Sequence, residues 1–145
     1  MNLTTQGLDR FVEAQDTVYH AVCTELRAGR KQSHWMWFVF PQLAGLGHSA
    51  IARHFGLASE DEARAYWQRP LLRGRLLECT ALALAHHDRS AHAIFGSPDD
   101  LKLRSCMSLF QHVAPDELAF GEALAHFFDG EPDQATLRLL GRAPS

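Results

Sequence analysis

The segment from Arg30 to Gln42, RKQSHWMWFVFPQ, brings together residue types that recognise flat, charged molecules. Four aromatics, Trp35, Trp37, Phe38 and Phe40, fall within six residues, with Arg30 and Lys31 before them and Gln42 after. Indole faces stack on planar rings and attract cations, while lysine and arginine attract anions. Ser33 and His34 add side chains that both donate and accept hydrogen bonds. A base or nicotinamide bearing phosphates would suit such a wall. Trp35 or Trp37 would stack the ring, Lys31 would meet phosphate, Gln42 would bind beside them, and His34 would serve as acid or base. Aromatic-rich stretches also fill cores. That reading takes Trp37, Phe38 and Phe40 first, and leaves Lys31, His34, Trp35 and Gln42 to carry the functional case.

A second candidate is SPDDLKLRS, from Ser97 to Ser105. Asp99 and Asp100 stand in the first turn of an expected helix, with Lys102 and Arg104 in the next. Asp99 could activate a water or hold a ribose hydroxyl, Lys102 could neutralise phosphate together with Lys31 and Arg64, and Arg104 is a further ligand-binding candidate. The alternative is ordinary capping and surface charge, since an exposed i,i+4 pair such as Asp100 and Arg104 contributes only ~0.3–0.5 kcal/mol. Arg64 and Tyr66 are further ligand-binding candidates.

The elements that must position these residues are helical. Leu8, Phe11, Val12, Gln15, Val18, Tyr19, Val22 and Leu26 recur at three- and four-residue steps, and Gly29 is placed to stop that helix. Gly45, Gly47 and Ser49 read as a turn and a cap. Ser59 with Glu62 has the capping-box pattern and opens a helix carrying Arg64, Tyr66 and Trp67. Pro70 opens a further helix with a stripe of Leu71, Leu72, Leu76, Cys79, Leu82 and Leu84. Ser90 caps a short turn ending at Gly96. Ser97 caps the helix of Leu101, Leu103, Met107, Leu109 and Phe110, with Pro98 first in it. Pro115 opens another that runs to Gly130, and a last covers Gln134 to Leu140. Only Trp37 to Phe40 has strand-like composition, and one isolated strand makes no sheet. The expectation is an all-α chain: a single domain over 1–145, its ordered core about 8–140, with about seven unequal helices unlike a simple four-helix bundle.

Bulk properties agree. A chain of 145 residues, 46% hydrophobic and 21% charged, is an ordinary domain that folds without metal or disulfide. The net charge of −3 argues against nucleic acid as a partner. No basic-apolar leader and no long apolar stretch is present, so neither secretion nor a membrane span is expected. The three cysteines lack a C-x-x-C pair and read as buried thiols of a cytoplasmic protein. The nine histidines show no metal-ligand spacing. Hydrolase-elbow, P-loop and dinucleotide fingerprints are missing as well, so no metal or cofactor is expected.

Three strings, GRKQSHWMWFVFPQLAGLGHSAIARHFGLAS, DEARAYW and IFGSPDDLKLRSCMSLF, together resemble domain of unknown function 1810, small bacterial proteins sometimes labelled "calpastatin". The resemblance runs from Leu8 to Leu140 and implies an all-helical domain with no established activity. A calpain inhibitor is an extended, disordered segment, whereas this composition predicts a folded core. A weaker similarity, in pattern only, is to the NAD- and ADP-ribose-associated domain NADAR, which implies a ligand of the ADP-ribose class without assigning residue roles. Two functions stay open. One is an enzyme or binder for a nucleotide-like metabolite. The other is a non-enzymatic module whose segment 31–42 docks a protein partner.

Overall fold

Residues whose side chains must leave water sit at helical spacing almost throughout, and the structure, a computed structural model, is all-α over the residues it describes, 7–141. Residues 1–6 and 142–145, part of the expected span, lie outside the described residues. Nine α-helices are described: α1 (Asp9–Ala28), α2 (Met36–Val39), α3 (Ala50–Phe55), α4 (Glu60–Gln68), α5 (Pro70–Leu84), α6 (Ala91–Phe95), α7 (Asp99–Val113), α8 (Leu118–Phe128) and α9 (Gln134–Leu139). A 3-10 turn covers Ala44–Leu46. The lengths run from 4 to 20 residues, as unequal as expected.

The long helix α1 buries Phe11, Gln15, Val22 and Leu26 along its stripe. It stops at Gly29, whose φ of 74° is open to a residue without Cβ. The N–H groups of Gly29 and Arg30 then close on the carbonyls of Leu26 and Glu25, each at 3.0 Å. Gln15 is the one polar member of that stripe. Its Nε2 donates to the Phe38 carbonyl at 2.7 Å and to Tyr66 Oη at 3.1 Å, tying α1 to α2 and α4.

Helix α7 is the centre. It buries Leu103, Cys106, Met107, Leu109, Phe110 and Val113 and packs against α4, α6, α8 and α9. Tyr66, Phe110 and Phe120 form its aromatic seam, with ring centroids 5.4 and 5.8 Å apart. Helix α1 packs on α5 and α2. Burying these faces supplies most of the driving force, at roughly 25 cal/mol per Å² of apolar surface removed from water.

Four local expectations need correction. Trp37 to Val39 are helical rather than strand-like, with Phe40 ending the turn: Val39 and Phe40 donate to the carbonyls of Trp35 and Met36 at 3.2 and 3.1 Å. Beta-branched and aromatic composition gave the strand signal, and tertiary packing of Met36, Phe38 and Val39 overrides it. Ser97 does not cap α7, which begins after Pro98. The Leu101 N–H is taken by Pro98 O at 3.0 Å and by Asp100 Oδ1 at 2.9 Å. Pro115 precedes α8 by three residues, and Glu117 is the cap, accepting from the Ala119 N–H. The caps at Ser49, Ser59 and Ser90 accept from the third residue onward at 3.1, 3.1 and 3.0 Å. Leu71 and Leu101, expected on inner stripes, are 43% and 57% exposed.

Candidate functional site

The Gln42–Ser49 loop and the first turns of α7 face each other across a cleft of about 440 Å³. That volume falls in the range of small-molecule pockets. Trp37, Gln42, Gly47, His48 and Ser49 form one wall. Pro98, Leu101, Lys102, Arg104 and Ser105 form the other, and Asp133 and Ala135 close the end. Beneath Trp37 and Gln42 a crevice of about 10 Å³ continues inward. It is only large enough for about one water molecule.

Close backbone approach shapes the loop wall. A Cβ on Gly47 would lie 2.5 Å from Ala52 Cβ, and one on Gly56 only 2.4 Å from Ala44 Cα. Ala44 N–H donates to Leu57 O at 2.8 Å, and Leu57 N–H to Gln42 O at 2.9 Å, so the strand-like bridge at Leu43 and Leu57 pins Gln42 at the cleft. On the far wall, buried Ser108 donates to Arg104 O at 2.8 Å and accepts the Asp133 N–H, also at 2.8 Å. Asp133 Oδ2 in turn accepts from the N–H and hydroxyl of Thr136, at 2.9 and 2.6 Å. Its carboxylate is therefore committed to starting α9.

The charges divide unevenly. Lys102 Nζ stands 4.8 Å from the centroid of the Trp37 ring, a cation held at an indole face. Arg104 donates from Nε to Glu131 O at 2.8 Å and reaches Glu131 Oε2 at 3.4 Å, while Glu131 itself is largely solvent-exposed. Asp99 lies behind this wall. Lys31 Nζ is 2.8 Å from its Oδ2, and Lys102 Nζ is 3.5 Å from its Oδ1.

Four of the residues singled out in the sequence thus meet on one cleft: Trp37, Gln42, Lys102 and Arg104. Lys31 and Asp99 join them indirectly, through Lys102. The others do not converge. Trp35, expected to face ligand, is 1% exposed and packs edge-on against Phe95, whereas Trp37, expected in the core, is only half-buried. The helical turn of α2 reverses the alternation expected of an extended segment. His34 is exposed and outside the cleft lining. Tyr66 is wholly buried, and burial pushes its phenol well above the usual range. Arg64 pairs with Glu60 on the exposed side of α4. That guanidinium, together with His112 Nε2 at 3.0 Å, holds the Glu60 carboxyl below its ordinary range.

The residue that sequence reasoning missed is Glu25. Its Oε1 accepts the N–H groups of Gln32 and Ser33 at 2.7 and 2.9 Å and the Trp35 indole N–H at 3.0 Å. Its other oxygen accepts the Ser33 hydroxyl. Burial alone would raise this carboxyl, but these donors outweigh it and bring it down to about 2. Nothing in its own neighbourhood on α1 marks Glu25, because all its partners lie seven to ten residues further on. Asp133 could have been found from its position three residues before Thr136, a side-chain cap spacing.

The three cysteines are buried; desolvation pushes Cys79 up to about 12 and Cys106 well above the ordinary thiol range, which leaves them without nucleophilic character. Among the described residues no group of three or more His, Cys, Asp or Glu could hold a metal ion. No helix among them is long and apolar enough to cross a membrane.

A family model described as "Protein of unknown function (DUF1810)" matches residues 5–140. The chain is similar to the conserved hypothetical protein Rv1873 from Mycobacterium tuberculosis, known from a crystal structure. The two are 51% identical with a TM-score of 0.91, over 92% of this chain and 96% of that one. No curated protein matches the chain.

Proposed function

Because the chain belongs to the DUF1810 family, whose activity is not established, its function must be argued from the cleft, and we propose that the cleft binds a nucleotide-like metabolite of the ADP-ribose or NAD class. The observation that carries this reading is the convergence of Trp37, Gln42, Lys102 and Arg104 on one opening. A planar ring lies against Trp37. Gln42, an amide with both donor and acceptor, meets the ring's edge. An anionic group sits where Lys102 and Arg104 both reach, once exposed Glu131 swings away from Arg104. The carboxylate at the end of the cleft, Asp133, is committed to Thr136, and binding is the primary activity proposed.

Thermal shift with ADP-ribose, NAD, ADP and adenosine tests it. A ligand at a hundred times its Kd adds about 2.7 kcal/mol of apparent stability, which raises the melting temperature visibly. Adenosine, lacking the anion, should give the smallest shift. No shift from any of the four at millimolar concentration rejects the reading.

One observation favours a second reading, in which the same rim docks a protein. Leu101, at the edge of the cleft, is 57% exposed, an apolar side chain with no cover beside an indole and two cations. Leu101→Ser would then abolish partner capture and leave small-molecule thermal shifts unchanged. A loss of both would place Leu101 in the ligand site instead.

A further inference from the structure

Lys31 is 7% exposed at its side chain and does not line the cleft, yet it holds the carboxylate that competes for the cleft's central cation. Its ammonium sits 2.8 Å from Asp99 Oδ2 and also donates to the Ser33 carbonyl at 2.6 Å. Its own N–H donates to Ile94 O at 2.7 Å. The backbone anchor and the second side-chain bond fix Lys31 against α6 and the turn organised by Glu25. Lys102 shares the same carboxylate from the other side, at the longer distance of 3.5 Å. Arg104 is turned to Glu131, so Lys102 is the cation that first meets an incoming anion.

We infer that Lys31 is a positioning residue: by holding Asp99 away, it sets how freely Lys102 can take a ligand anion. Two ammonium groups on one carboxylate leave that trio with a net positive charge, and the looser of the two contacts is the one that opens. Without Lys31, both oxygens of Asp99 fall to Lys102, and a ligand anion must displace a full ion pair. Without Asp99, Lys102 keeps its place over Trp37 and meets no internal competitor. The binding half of this inference rests on the proposed function. The lysine half does not.

The test therefore has two arms, both on Asp99→Asn, Lys31→Met and Lys31→Arg beside the unaltered chain, with melting temperatures checked first. In the first arm, acetylation of Lys102 by an amine-reactive ester is followed by mass spectrometry. Asp99→Asn should label faster, Lys31→Met slower, and Lys31→Arg at the original rate, with differences of at least about threefold for a partly buried pair. In the second, ADP-ribose is titrated calorimetrically. Asp99→Asn should bind more tightly than the unaltered chain and Lys31→Met more weakly, by similar factors. Labelling as stated with no ADP-ribose binding by any form removes the proposed ligand and keeps the role of Lys31 over Lys102. Equal labelling of Lys102 in all four, or weaker ADP-ribose binding by Asp99→Asn, overturns the inference. If Lys31→Met fails to fold, Lys31→Gln, which keeps a polar side chain without the charge, takes its place in both arms, and labelling or binding equal to that of the unaltered chain overturns the inference.

Discussion

The indole N–H of Trp35 donates to Glu25 Oε1 at 3.0 Å, joining the last turn of the longest helix to the start of the aromatic segment. Through this carboxylate α1 sets the course of residues 32–35, and through them the position of Trp37 at the cleft. Glu25 is thus a cap for a turn rather than for a helix, taking two backbone N–H groups that have no partner within their own segment.

Replacing Glu25 by Gln keeps the shape and removes the charge-assisted acceptance. It should cost about 1–3 kcal/mol at neutral pH. The cost should also depend on pH. The folded carboxyl is held at about 2, below its ordinary value of 4.5, so its contribution is complete above the ordinary value and fades as pH falls towards 2. The gap in melting temperature between the natural chain and Glu25→Gln should therefore be constant from pH 7 to about 5 and close between about pH 4.5 and 2. A gap unchanged down to pH 2 would show that ionisation of Glu25 is irrelevant to the fold.

The two tryptophans separate structure from function. Trp35→Ala empties a wholly buried site against Phe40 and Phe95 and should cost about 3–5 kcal/mol in denaturant unfolding. Trp37→Ala, half-buried at the cleft, should cost under about 1.5 kcal/mol. Equal losses would mean that Trp37 is a core residue.

Glycines make a sharper contrast. Gly56→Ala pushes a methyl into the Ala44 backbone and should destabilise by about 1–3 kcal/mol, shifting the wall that carries Gln42. Gly74, inside α5 with open space around it, should behave oppositely, gaining about 0.5–1 kcal/mol as Ala. Equilibrium unfolding of the pair reads both signs at once.

How far the sequence could be read follows the range of the interactions. Caps at Ser49, Ser59 and Ser90 and the stop at Gly29 depend on neighbours three or four residues away, so they were legible. The stripes of α1 and of α7 from Leu103 onward are legible for the same reason. Trp35 and Trp37 were exchanged because their facing depends on one turn of helix that only packing stabilises. Lys102 and Arg104 stand out in the sequence as cations near a helix start, but nothing there shows that they face Gln42 some sixty positions earlier, since that meeting is made by the Leu43–Leu57 bridge and the fold of α7 on α9. Glu25 was invisible because a carboxylate on a polar helix face looks like any other until its distant donors are in place.

Calorimetric titration of ADP-ribose into the natural chain, Trp37→Ala, Lys102→Ala and Arg64→Ala tests the central claim most directly. The cleft reading predicts saturable one-to-one binding, weakened at least about tenfold by either cleft substitution, equivalent to about 1.4 kcal/mol, and unchanged by Arg64→Ala on the far side of α4. Absence of binding to the natural chain, or equal affinity across all four, would contradict it.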